Sequence, residues 1–342
     1  MKKVLPITES PFELYHSNAY PLTIILNNKD TMEWLYCNYI HLFYIEKQDI
    51  DPLWFYCPDY KGRFYNSFLP WLDYQVLDKN TIKDLNIDIL SLVKYSIDNE
   101  QYVSLFWDEF YIPNGIFMGD IHIRQRALIY GYDDASNHLY TYSEKSNSRL
   151  ETCLVSYEDF KLSFYSSYIK GFPYVYIMKL DVNRQYKFDV KSVITQIKDY
   201  LSSRDITESQ RESFNSHEGV KFGFSIYDCI RDYLNTVSKR NTFHYHKTLN
   251  ILSEHKKIML QRIQYMQNNG YLEISSTHFK DYETVYKTSK VLGSMFQKYN
   301  ISRDEAIISR IILKVNEISV KEKAILNELV DELSMNSFDN KE

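Results

Sequence analysis

A change of hydrophobic period near residue 185 divides this chain. Before it, aromatic and β-branched runs such as VSLFW, ALIYGY, LYTY, CLVSY and the stretch Phe172 to Leu180 alternate with turn residues, the pattern of strands whose side chains pack on a pleated surface. After it, apolar residues recur three or four apart over Lys191 to Leu201, Ser225 to Val237, His244 to Met266, Tyr282 to Phe296, Arg303 to Val315 and Val320 to Leu333, the spacing of amphipathic helices. Helices are also expected before the first strands: one through Ile24, Ile25 and Leu26 with Pro21 in its first turn, a second over Met32 to Phe43 and a third over Ile82 to Ile97. This segregation predicts an α+β domain over residues 1–185 and an all-helical domain over 186–342. The polar segment Ser202 to Gly223 reads as a linker or mobile loop between them.

Charge and composition exclude several function classes. A net charge of −5 and a pI near 6.0 provide no concentrated basic face, so nucleic acid is not an expected partner. No apolar run approaches the roughly 18 residues that span a bilayer. The N-terminal MKKVLPITESPFELYHSNAYP has a basic start but no continuous apolar stretch, so no secretory signal is expected. Cys37, Cys57, Cys153 and Cys229 are scattered without a C-x-x-C pair, which argues against a zinc or redox motif and fits a cytoplasmic chain. With 31 tyrosines, the chain has rings whose hydroxyls can meet a partner, and self-association is an expectation from that content.

The segment from Tyr102 to Tyr142 carries the densest structural signal. It reads as one aromatic strand, a loop containing GDIHIRQR, a short apolar strand Ala127 to Tyr130 stopped at Gly131, and a further strand Leu139 to Tyr142 after the turn residues Asp133 to Asn137. Asp108 and Glu109 follow the first strand and are candidates for general acid and base, for cation binding, or for pairing with Arg124 and Arg126. With Tyr130 they make the expected binding cleft.

Other chemistries find little support. Cys229 lies on the apolar stripe Ile226, Cys229, Ile230 and Tyr233, Cys37 sits in a helical run and Cys153 in a strand, all core positions, whereas Cys57 before Pro58 is the cysteine expected to be exposed. His244, His246 and His255 with Glu254 form a local cluster, but a helical metal pair needs i, i+4 spacing, so they are expected on a solvated helix face without metal. There is no G-x-S-x-G elbow and no clustered-glycine phosphate or dinucleotide motif, and no cofactor is expected.

Four segments, SNAYPLTIIL, YVSLFWDEFYIP, ALIYGYDD with its following strand, and SEHKKIMLQRIQYM at Ser253 to Met266, resemble the butirosin biosynthesis protein H family of antibiotic and nonribosomal-peptide gene clusters. The resemblance implies a papain-like N-terminal α+β domain followed by helices. It also implies acyl transfer: a cysteine takes an acyl group from a carrier-protein thioester and passes it to an amine, with a histidine base and an orienting Asp or Asn. This chain departs from that pattern at each slot. Asn18, Ala19 and Tyr20 stand where the cysteine is expected, Gln125 where the histidine is expected, and Ser143 where the orienting acid is expected. A register slip brings in His16, Ser17 and His122, with Ser17 as nucleophile and His122 as base.

Three departures favour a pseudoenzyme, an accessory protein that binds a carrier-tethered acyl chain, a peptide or an active paralogue. Loss of one triad member already costs roughly 10⁴-fold in hydrolases of this logic. The alternative is an acyltransferase with non-standard residues, and the residues by themselves also fit an unrelated aromatic-rich α+β protein.

Overall fold

The structure is a computed structural model and describes all residues except 14–15, 29–30, 47–51, 57–68, 70, 146–148, 169–170, 172–173, 207–218, 238–246 and 340–342. In chain order the strands are β1 (Lys2–Val4), β2 (Leu42–Ile45), β3 (Leu53–Phe55), β4 (Leu72–Asp78), β5 (Gln101–Asp108), β6 (Arg124–Asp133), β7 (His138–Glu144), β8 (Leu150–Ser156), β9 (Tyr174–Leu180) and β10 (Val220–Phe222). The helices are α1 (His16–Ile25), α2 (Thr31–Cys37), α3 (Lys79–Asp84), α4 (Ile89–Asp98), α5 (Tyr157–Tyr165), α6 (Val190–Leu201), α7 (Ile226–Val237), α8 (Lys247–Asn268), α9 (His278–Lys290), α10 (Leu292–Ser302) and α11 (Glu305–Asp339). The fold is mixed α+β. Among the described residues, no helix is long and apolar enough to cross a membrane.

The chain forms two compact units, Met1–Thr31 with Lys61–Gln185, and Met32–Tyr60 with Tyr186–Glu342. The first is built on an antiparallel sheet in the order β4-β9-β5-β6-β7-β8, with β1 paired to β6. Its central strand β5 is buried along nearly its whole length, which is why VSLFW reads as a continuous apolar run rather than an alternating one. Helices α4 and α5 pack against β5, and α1 packs against β6. Asp88 caps α4 by accepting from the Ser91 amide at 2.9 Å, and Ser156 caps α5 by accepting from the Asp159 amide at 3.0 Å.

Gly131 does not stop its strand. β6 runs on to Asp133, and Gly131 is where β1 crosses: a Cβ there would lie 2.8 Å from the Lys3 carbonyl oxygen. Pro21 lies inside α1 rather than in its first turn, and Asp88 breaks the expected helix over Ile82 to Ile97 into α3 and α4.

The second unit corrects the expected division at residue 185. It takes Met32–Tyr60 from the N-terminal part, and it is not all-helical, because β10, β2 and β3 form a sheet in that order. The expected helix over Met32 to Phe43 ends at Cys37, and Phe43 instead pairs with Trp54 and Phe222. Val220–Phe222 was expected in the linker; of that segment, residues 207–218 lie outside the described residues. Strands this short, paired across so many intervening residues, leave no periodic signal.

Helices α6 to α11 complete the unit. The runs Arg303 to Val315 and Val320 to Leu333 join in α11, which contains neither glycine nor proline, while Tyr282 to Phe296 divides between α9 and α10.

Candidate functional site

The three expected triad positions lie on α1, β6 and β7, whose ends meet in the first unit. Ala127 pairs with Ser143, so Gln125, two residues back along β6, shares a face with Ala127 at the same end of the sheet. Gln125 Nε2 donates to Glu144 Oε2 at 3.0 Å. Helix α1 is fixed on β6 by the Tyr20 hydroxyl, which donates to the Arg126 carbonyl at 2.7 Å, and its ring meets Tyr142 edge-on at 6.2 Å. His16, the first residue of α1, stacks on Tyr20 at 5.2 Å and places Nε2 3.4 Å from Glu144 Oε2, an ion-pair separation without hydrogen-bond alignment. The helix start therefore reaches the strand ends through His16 and Glu144. Ala19 is 0% exposed. The Ser17 side chain lies outside the described residues.

A buried carboxyl joins this cluster from the short 3-10 turn that follows β5. Glu109 is wholly buried, and its Oε2 accepts from Trp107 Nε1 at 2.9 Å. Burial pushes its pKa up to about 7, against the opposing pull of the Trp107 hydrogen bond, the Lys145 ammonium and the Ile116 amide, while Glu144 adds to the rise. Glu109 Oε1 has no aligned donor among the described residues. A Cβ on Gly115 would stand 2.3 Å from that oxygen, so glycine is what lets the backbone pass so close to the carboxyl.

Lys145 is 5% exposed just past β7, and its Nζ has no hydrogen-bond partner among the described residues, nor has the Ser143 hydroxyl. Four polar atoms, His16 Nε2, Glu109 Oε1, Ser143 Oγ and Lys145 Nζ, are thus buried and unsatisfied in one region. Each such group ordinarily costs about 1–3 kcal/mol.

Asp108 and Glu109 do not act as a pair. Asp108, also wholly buried, accepts from the Phe110 amide at 3.2 Å and the Ser166 hydroxyl at 2.5 Å and lies 2.7 Å from His122 Nδ1. His122 is clamped between the rings of Phe110 at 4.1 Å and Tyr168 at 3.9 Å. The fallback base therefore has an orienting acid, while the helix residue beside an acid is His16.

The arginines expected to neutralise these carboxyls lie on aromatic rings. The Arg124 guanidinium sits 5.3 Å from the Phe106 centroid, and Arg126 stacks at 4.7 Å on Tyr176 while its Nε donates to Ser104 Oγ at 3.1 Å. Tyr130 does not belong to the expected cleft. It lies six residues along β6 from Arg124, about 20 Å at the ordinary strand rise, and its ring meets Tyr140.

The cysteines supply no activated thiol among the described residues. Burial raises Cys37 and pushes Cys229 up to about 11, and Cys153 donates to the Pro113 carbonyl at 3.6 Å; Cys57 lies outside the described residues.

The expected solvated histidine face is corrected at His255, which is wholly buried in the second unit. Its Nε2 bonds the Ile40 carbonyl at 2.8 Å, and its Nδ1 lies 3.1 Å from Lys256 Nζ. Lys256 meets both oxygens of the buried Glu322, at 2.7 and 2.8 Å, and Glu322 also accepts from the hydroxyls of Tyr227 and Tyr282. His244 and His246 lie outside the described residues, among which no group of three His, Cys, Asp or Glu could hold a metal ion.

Glu144 and Lys145 are absent from the expected site although they adjoin Ser143. Their signal was a charged pair at the end of a buried strand, in the run SEKSNS. No protein-family model matches the sequence, and no curated protein matches it.

Proposed function

We propose that this chain is a cytoplasmic, butirosin-H-type protein of natural-product biosynthesis whose papain-like domain has lost thiol chemistry and binds a carrier-protein-tethered acyl chain. The observation that carries this reading is the complete burial of Ala19 in the helix where the family's cysteine is expected. The other slots support it. The Gln125 amide is held by Glu144 and is no base at neutral pH, and the Ser143 hydroxyl cannot replace an orienting carboxylate. The antiparallel sheet with α1 against β6 is consistent with the implied domain.

A second reading, an acyltransferase with non-standard residues, is favoured by His16 at the start of α1, a base on the helix that would carry the nucleophile, beside the Glu144 carboxylate at the end of β7. Incubation with an acylated carrier protein and an amine acceptor, followed by mass spectrometry and a binding measurement, separates the two. The expected result is a complex without a new amide. Acyl transfer that Ser17→Ala or His16→Ala abolishes would establish the second reading, and capture of a cysteine-bearing paralogue without the carrier would replace both with a partner-protein role.

A further inference from the structure

We infer that the cluster of His16, Glu109, Ser143, Glu144 and Lys145 is a binding site for a small group carrying both an ammonium and a carboxylate or carbonyl: an α-amino acid, or the aminoacyl form of one. The inference rests on the binding reading above and names the chemistry of what is bound.

Three observations lead to it. First, the unsatisfied atoms are of both kinds. Glu109 Oε1 accepts, Lys145 Nζ donates, and Ser143 Oγ can do either. A simple anion would meet the lysine and leave the carboxyl unsatisfied, and a simple amine would do the reverse.

Second, Glu109 and Lys145 attract each other yet form no salt bridge among the described residues, although both are buried. Opposite charges in a low-dielectric interior close on one another unless the backbone holds them apart or a group stands between them. Gly115 packs directly on the carboxyl, and Trp107 holds its other oxygen. The Lys145 backbone amide donates to the Arg149 carbonyl at 2.8 Å, which fixes the root of the lysine side chain.

Third, the charges nearly balance. A bound ammonium would hold Glu109 ionised, and two carboxylates facing one ammonium and one histidine then suit a ligand of no net charge. The lysine opposes a metal cation here.

The ligand's ammonium is assigned to Glu109 and Glu144, and its carboxylate or carbonyl to Lys145 and Ser143. His16, stacked on Tyr20, covers the Glu144 side. A free amino acid and a carrier-tethered aminoacyl group share this chemistry.

Calorimetric titration of the full chain tests the assignment with four probes: a panel of free amino acids, their N-acetyl derivatives, their decarboxylated amines, and a hydrolysis-resistant aminoacyl-pantetheine amide. At least one zwitterion or aminoacyl-pantetheine should bind. Loss of the amine by acetylation, or of the carboxylate by decarboxylation, should weaken binding by about 10-fold or more, the usual value of one charge-assisted hydrogen bond. Glu109→Gln should abolish the preference for the free amine, and Lys145→Met the preference for the carboxylate; Glu109→Gln preserves shape, and circular dichroism checks the fold of both.

Preference for the pantetheine probe over every free amino acid would assign the tethered source, and the reverse order the free one. No binding by any of the four while an acylated carrier protein still binds would overturn the inference and leave the proposed function standing. Equal binding of the acetylated and free amine forms would also overturn it, and failure of the carrier as well would take down both.

Discussion

Two carboxyls are buried to the same extent in this molecule and have opposite surroundings. Glu322, in the second unit, receives both Lys256 contacts and the hydroxyls of Tyr227 and Tyr282, so its charge is fully compensated. Glu109, in the first, has one aligned donor at Oε2 and none at Oε1, and it titrates near neutrality. A satisfied buried network specifies one packing of helices α7, α8, α9 and α11. An unsatisfied one is a poor structural device, and its persistence points to a ligand. The contrast separates two uses of buried charge that burial by itself cannot distinguish.

The largest expected effect tests the satisfied side. Lys256→Met leaves Glu322 charged and buried without its cation, and should lower the unfolding free energy by about 3–5 kcal/mol. Lys145→Met removes an ammonium that has no hydrogen-bond partner among the described residues, and should leave stability unchanged or raise it, by up to about 3 kcal/mol. Urea unfolding followed by circular dichroism measures both. Equal losses would break the contrast by making Lys145 a structural cation.

Next comes pH. From the ordinary carboxyl value of 4.5 to about 7, the folded chain keeps a proton on Glu109 that the unfolded chain has released, so folding loses stability as pH rises through that window. The full shift corresponds to roughly 3 kcal/mol. Glu109→Gln should remove that slope and make the protein more stable than its parent above pH 7.

The second unit slopes the other way. His41 is pulled down to about 4, and His255 well below its usual 6.5, both mainly by burial, so their unfolded forms take up protons first and stability falls as pH drops below 6.5. Stability measured from pH 5 to 8 for the parent and for Glu109→Gln isolates the first contribution. A variant with an unchanged profile would show that Glu109 is ionised at its ordinary pH.

These contrasts explain what could and could not be read from the residues. The strands β5, β7 and β9 follow from runs of aromatic and β-branched residues, and α6 and α7 from apolar spacing, because those signals are local. The segment SEHKK looks like a charged helix face. His255 and Lys256 within it are buried, where Lys256 finds Glu322, 66 residues away, and no local pattern announces such a partner. The same holds for the site: His16 meets Glu144 only after α1 has packed on β6, whereas the expected slots Ala19 and Ser143 were near neighbours of the residues that meet. Asp108 and Glu109 were read together because they adjoin in sequence. The strand ends at Asp108 and the chain turns into a short 3-10 helix at Glu109, and the two carboxyls serve His122 and Trp107 separately.

Gly115→Ala is a smaller test of the unsatisfied side. The added methyl would overlap Glu109 Oε1, at a cost of about 1–3 kcal/mol through displacement of the carboxyl or the loop. In a Glu109→Ala background the overlap disappears and so should most of that loss, a coupling that a double-mutant cycle in urea unfolding reads directly. An undiminished loss in that background would place the strain in the Gly115 backbone and remove the carboxyl from the argument.

The smallest effect concerns how α1 is held. The Tyr20 hydroxyl donates to a neutral carbonyl, that of Arg126, whereas the tyrosines around Glu322 donate to a charge. Tyr20→Phe keeps the ring on His16 and Tyr142 and deletes one hydrogen bond, so it should cost about 1 kcal/mol. Tyr282→Phe should cost about twice as much, because charge-assisted bonds are about twice as strong. Amino-acid affinity responds differently: Tyr20→Phe leaves every assigned ligand contact in place and should change affinity by about threefold or less, since the full loss of one neutral bond is worth about fivefold. A much larger loss of affinity than of stability would mean that the Tyr20 hydroxyl positions His16 over the cluster, and the helix start would then belong to the site as much as the strand ends do.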